Sequence, residues 1–167
     1  MLAEQTRSFA RYNRWANTRL FDAVGELDDA DYRADRGLFF GSIHATLNHL
    51  LVADRIWLSR LTGASPGEAP TALDAILYRD RGSLAAARTH EDLGLIAFAD
   101  GLDDAAFAGS VRYANQAGEA FTQPLAGLLA HLFNHQTHHR GQIHAALTGL
   151  GRAAPPLDLI YYLRALG

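Results

Sequence analysis

His131-Leu-Phe-Asn-His135-Gln-Thr-His138-His139-Arg-Gly-Gln142-Ile-His144 holds five of the chain's eight histidines. At the mean frequency of the chain such a window would contain roughly 0.7 histidine, so composition does not account for the cluster. Around the run, Leu125, Leu128, Leu132, Ile143 and Leu147 recur at helical spacing, which predicts a long helix over 124–148. Pro124 suits its first position, where the N–H that proline lacks has no partner in any case, and Gly149 suits its stop.

At about 100° per residue, His131, His135, His139 and Gln142 share an arc that borders the apolar face of this helix. His138 turns closer to solvent and His144 to the opposite side, so neither is a good co-ligand of His135. His135 and His139 lie one turn apart, with Cβ atoms about 5–6 Å apart, so both imidazoles can reach one ion at about 2.0–2.1 Å. A third ligand must then come from another element.

Working outward, Leu2, Phe9, Ala16, Leu20, Ala23 and Val24 form one arc and predict a helix over 2–26. Ser42 is a good N-cap for a second helix ending at Leu61, followed by a loop from Thr62 to Pro70 and a short turn around Leu73 to Tyr78. A third helix is predicted over 80–99, with Leu84, Ala87, Glu91, Leu95 and Phe98 at helical spacing and Gly101 ending it. Residues 110–123 place β-formers on either side of Asn115-Gln-Ala-Gly118 and read as a small hairpin. A short C-terminal helix, Pro156 to Leu166, would pack Ile160, Tyr161 or Leu163 on the body. The expected class is all-α: a four-helix bundle with a β-hairpin before the last long helix, forming a single domain over 1–167.

The net charge is −3, and its fifteen basic and eighteen acidic residues are dispersed, leaving no basic stripe for a phosphate backbone. Nucleic acid is therefore not expected as a partner. No apolar run reaches the roughly 18 residues of a membrane span, and the first residues lack the layout of a signal peptide, so no membrane association and a cytoplasmic location are expected. Cysteine and lysine are both absent, which excludes thiol nucleophiles, iron–sulfur ligation and Schiff-base lysines. Any metal must be held by nitrogen and oxygen.

On the second helix His44 and His49 are five residues apart and point about 140° away from each other, so only one can join the site. His44 belongs to the polar arc with Asn48, Arg55 and Ser59. His49 shares its face with Val52, Ala53 and Ile56 and is the third candidate ligand. His44, His90, His138 and His144 are each read as surface or hydrogen-bonded core residues. His131 is open to three roles: fourth ligand, hydrogen-bond partner of a ligand, or core. The last two are favoured, because a catalytic site leaves a coordination position open. Asn13 and Asp54 stand on otherwise apolar arcs and need partners. Asn13 either orients a ligand or bonds two helices, and Asp54 either serves the site or pairs with an arginine.

Other motifs fail on context. Gly149-Leu-Gly151-Arg-Ala-Ala154 has the letters of a dinucleotide fingerprint but follows a helix instead of a strand. The histidine pair lacks the glutamate of His-Glu-x-x-His, since Gln136 cannot act as a general base.

Three segments, Arg11-Tyr-Asn-Arg-Trp-Ala-Asn17, Ser42-Ile-His-Ala-Thr-Leu-Asn-His-Leu-Leu-Val-Ala-Asp-Arg-Ile-Trp57 and His131 to Gln142, together resemble the DinB/YfiT-like family of metalloenzymes. The resemblance implies a bundle of up-down-down-up course with a long crossover, often a homodimer. It also implies metal ligands at His49, His135 and His139, the set that the helical angles select. Family members are associated with nickel or zinc, and some transfer low-molecular-weight thiols to electrophiles, while most have no assigned reaction. The expected cofactor is a divalent metal ion, nickel or zinc ahead of iron or cobalt, with a small molecule as substrate, such as a low-molecular-weight thiol. The expected chemistry is activation of water or a thiol, as a thiol S-transferase or a hydrolase. Two other classes stay open: a metal-dependent binding protein without turnover, and a metal-free helical interaction module.

Overall fold

The computed structural model describes residues 1–63 and 70–167. The first helix, α1 (Leu2–Gly25), runs antiparallel to α4 (Arg81–Asp100). The pairing is stitched along its length: the N-terminal ammonium and Ala3 N–H bond Asp104, Arg7 donates to Leu102 O, and Arg11 pairs with Asp100 at 2.9 Å. Between α1 and α3 (Ile43–Thr62) lies a single turn of helix, α2 (Asp29–Arg33), that the sequence pattern does not reveal. One turn is too short to show a period, and its signal is the cap alone, Asp28 accepting from Asp31 N–H at 2.7 Å.

Ser42 caps α3 as expected, its Oγ accepting from Ala45 N–H at 3.0 Å, and Gly63 closes the helix at φ 69°. Of the loop expected over 62–70, residues 64–69 lie outside the described residues. Asp80 caps α4 through Ser83 N–H at 2.7 Å. After a 3₁₀ turn at Ala106–Ala108 come β1 (Ser110–Ala114) and β2 (Ala120–Pro124), an antiparallel hairpin with Tyr113 opposite Phe121. Pro124 ends β2 and stands at the N-cap of α5 (Leu125–Gly149), one position before the first-turn place expected for it.

The four long helices form a ring in the order α1, α4, α3, α5. Asp54 pairs with Arg88 and Arg55 with Glu91, so α3 and α4 run parallel. Phe9 packs on Phe133 and Asn13 bonds Arg140, so α1 and α5 are parallel, while His49 meets His135 and Trp57 meets His131, so α3 and α5 are antiparallel. The course is up-down-down-up, and parallel α3 and α4 require the crossover. Leu20, Val24, Tyr32, Ile43, Leu47, Leu50, Leu51, Leu84, Ile143 and Leu147 fill one end of the bundle. Ala10, Leu95, Leu132 and Phe133 fill the other. Each such leucine contributes about 1.5–3 kcal/mol by leaving water.

Three expectations are corrected. On α4 the inward face is Leu84, Arg88, Asp92, Leu95 and Ala99, one residue away from the Ala87, Glu91 and Phe98 of the apolar arc, because the buried charges Arg88 and Asp92 take inward positions. Asn48, on the polar arc, is buried, since residue 78 of the crossover lies over it and its Oδ1 accepts from Tyr78 N–H at 2.9 Å; His44 beside it is the hydrogen-bonded core residue that its reading allowed, with Nε2 2.9 Å from Tyr78 O. The C-terminal helix α6 (Leu159–Ala165) starts later than Pro156 and exposes Ile160, Tyr161 and Leu163. Tyr162 packs on Tyr12 and Trp15 instead, its phase set where Tyr12 Oη donates to Leu157 O at 2.7 Å.

Candidate metal centre

α3 and α5 bring the rings of His49, His135 and His139 to centroid separations of 5.0, 4.6 and 4.5 Å, and one nitrogen from each lies within 4.8 Å of the others. His49 Nε2 and His135 Nε2 are 3.1 Å apart. Two ligands of one ion at 2.0–2.1 Å in octahedral or tetrahedral geometry would stand about 2.9–3.4 Å apart, so this pair already has the spacing of a chelate. His49 Nδ1 lies 2.8 Å from the carbonyl oxygen of Leu73, which can only accept, so that nitrogen carries the proton and Nε2 presents a lone pair. His139 Nδ1 donates to Gln142 Oε1 at 2.8 Å, leaving its Nε2 as the free ligand atom. Both outer contacts fix tautomer and ring orientation as second partners of metal-bound histidines do.

The electrostatics favour neutral rings. Burial lowers the pKa of His49 to about 4, against the pull of Leu73 O and helped by the charge of His139. Burial lowers His135 to about 3, with His139, His49, His131 and His138 adding repulsion. His139 is lowered too, chiefly by burial. Metal coordination requires the neutral form that these rings hold at neutral pH.

Phe40 closes one side, its ring stacked on His49 at 3.8 Å between centroids and 5.6 Å from His139. A tight turn places it: Gly41 N–H bonds Leu38 O at 2.8 Å, and Gly41 takes φ 78°, where a side chain would be strained. On the other side a cavity of about 440 Å³ opens against His49, His135 and His131. His131 stays outside the cluster, its ring 5.0 Å from Trp57 and 5.8 Å from His135. His138 is no part of the cluster either, yet it is tied to it, since Gln142 Nε2 donates to His138 Nε2 at 3.2 Å while its oxygen holds His139.

Asn13 and Asp54 sit elsewhere, in a polar layer between the two apolar ends of the bundle. Asp54 pairs with Arg88 at 2.7 Å and Arg88 with Asp92 at 3.0 Å. Asn13 and Asn17 donate to Asp92 at 3.1 and 3.0 Å, and their oxygens accept from Arg140. Gln136 donates to Leu50 O at 3.3 Å. Burial raises the Asp54 carboxyl to about 6 against the charge of Arg88, whose guanidinium is held protonated by Asp92 and Asp54. Both residues therefore take the bonding roles left open for them, a helix-to-helix hydrogen bond and an arginine pair. Phe40, the Leu73 carbonyl and the Arg88–Asp92 pair escaped the sequence reading. Only the last had a signal there, two charges at i,i+4 beside the apolar face of α4.

The bundle course and a histidine trio shared between α3 and α5 define a helical protein built around a candidate metal centre. The DinB family model matches residues 1–165, and the chain belongs to the DinB family. The chain is also 27% identical over 158 residues to Protein DinB of Bacillus subtilis (strain 168), an alignment covering 91% of this chain and 90% of that protein. Among the described residues no helix is long and apolar enough to cross a membrane.

Proposed function

We propose that this protein is a metal-dependent enzyme in which His49, His135 and His139 hold one divalent ion, nickel or zinc, and which acts on a small molecule entering the adjoining cavity. The observation that carries the reading is the 3.1 Å approach of two Nε2 atoms, one on a buried ring and one on a half-buried ring, with a third ring closing the set. A divalent cation supplies Lewis acidity, the means of ionising water or a thiol near neutral pH. The chain provides the rest. Leu73 O and Gln142 hold the imidazoles in register, Phe40 keeps water from one flank, and the cavity beside His131 and His135 admits the substrate from the other. Without a cysteine or lysine, the chain offers no thiol or amine nucleophile of its own, so a thiol that attacks must come from the substrate. The reaction class proposed is thiol transfer to an electrophile or hydrolysis.

One observation favours a second reading. The same 3.1 Å contact is a good N–H···N hydrogen bond if His135 carries its proton on Nε2, which would make the trio a metal-free structural feature. Elemental analysis of untagged protein separates the two. The metal reading expects near-stoichiometric nickel or zinc in the wild type and its loss in His135→Ala and His139→Ala. Metal-free wild type that does not take up either ion on dialysis would establish the second.

A further inference from the structure

The cavity beside the histidines does not end there. It shares Ile56, Arg60, Asn115 and Gln116 with a second cavity of about 420 Å³ between the end of α3 and β1. The described residues lining the two include the cations Arg60 and Arg112 and no carboxylate.

Arg60 differs from the other half-buried and buried arginines. Arg55 has Glu91, Arg36 has Asp31, Arg88 has Asp54 and Asp92, and Arg140 has Asn13 and Asn17. Arg60 has no ion pair or hydrogen bond among the described residues. Its guanidinium rests on aromatic faces instead, 4.8 Å from the ring centroid of Trp57 and 5.0 Å from that of Tyr113. Such packing fixes the flat group while its in-plane N–H donors stay unused. Burial already works against its charge, lowering its pKa. A partly desolvated cation with no acceptor among the described residues is costly to keep unless something brings the acceptor to it.

Helix geometry relates this cation to the metal centre. His49 and Arg60 are eleven residues apart on α3. That is three turns plus about 20°, so both project from one face with about 16 Å of rise between them. Between them Ala53, Ile56 and Trp57 make an apolar wall.

We propose that these two adjoining cavities together bind an elongated organic anion, its carboxylate on the Arg60 fork, its apolar middle against Ile56 and Trp57, and its reactive end at the histidine cluster. That the molecule is the substrate rests on the metal-centre reading; the anion site itself does not.

Trp57 is a natural reporter, since the chain's other tryptophan is Trp15 and Trp15→Phe isolates it. Chelator-treated Trp15→Phe protein, in which no carboxylate can bind through metal, is titrated with phenylpropionate, its neutral amide and phenylpropyl phosphate. Saturable quenching by the carboxylate is expected, with the amide and the Arg60→Gln variant each weaker by roughly tenfold or more and Arg60→Lys intermediate. Tighter Arg60-dependent binding of the phosphate would support the same oxyanion site and make phosphate its preferred head group. The proposal is overturned if neither anion quenches saturably, if the amide binds as well as the acid, or if Arg60→Gln, folded by circular dichroism, binds like the wild type. Untreated protein that takes up neither nickel nor zinc on dialysis, yet shows Arg60-dependent binding, would sink the metal reading alone.

Discussion

One residue along α5 separates two opposite uses of buried polarity. His135 and His139 turn toward a cavity and converge on a point where lone pairs meet, whereas Gln136 and Arg140, each the next residue, turn into the bundle and find protein partners. In the interior layer the charges balance: Arg88 and Arg140 face Asp54 and Asp92, with Asn13 and Asn17 as go-betweens. At the histidines nothing balances, because three neutral rings, each made reluctant to accept a proton, are held nose to nose. Polar groups that pair with one another across the interior specify how helices pair. Unsaturated ones that share a point and border a void mark a place for a ligand.

That contrast can be broken in several ways. The largest effect belongs to the layer: Arg88→Ala leaves Asp54 and Asp92 buried without their cation and is expected to cost about 3–5 kcal/mol in urea unfolding, with metal bound per folded chain unchanged. The converse variant, His135→Ala, removes the metal and leaves the unfolding midpoint of chelator-treated protein near that of the wild type. If the two variants exchanged these signatures, the division of labour drawn here would be wrong.

Acid comes next. Between the ordinary 6.5 of a free histidine and the values near 4 and 3 of His49 and His135, the unfolded chain takes up protons that the folded chain refuses, so stability falls as pH drops through this interval. Asp54, raised by burial to about 6, opposes the trend as a single group against three. Melting temperatures of metal-free protein from pH 7 to pH 4 should decline, and the decline should flatten in a His49→Ala, His135→Ala double variant. A flat wild-type profile would deny that the rings are held neutral.

Smaller effects probe the supports of the cluster. Gln142→Ala frees the His139 ring and is expected to weaken metal affinity roughly ten- to hundredfold, read by competition with a chelator. Phe40→Leu keeps an apolar cover but loses the stack on His49, a change of about 0.5–1.5 kcal/mol that should appear as faster metal release.

Much of this was legible in the sequence because it is periodic. The long helices, the Ser42 cap, the hairpin and the choice of His49 over His44 all follow from a fixed angle per residue, and the structure brings His49, His135 and His139 together. What escaped has no period. Phe40 reaches His49 from a turn whose only mark is Gly41, and Leu73 contributes a backbone carbonyl, which no residue identity announces. The α4 face was misjudged for a different reason. Hydrophobic patterning assigns charges to solvent, yet Arg88 and Asp92 are buried because each finds its counter-ion across the bundle.

Everything proposed for this site requires that three imidazoles from two helices grip a single cation. Titrating chelator-treated, untagged protein with Co²⁺ while recording its visible absorption tests this directly. A spectrum is expected that saturates at one equivalent per chain and vanishes in His49→Ala, His135→Ala and His139→Ala alike. A chain that develops no such spectrum, or one that keeps it after any of the three substitutions, would contradict it.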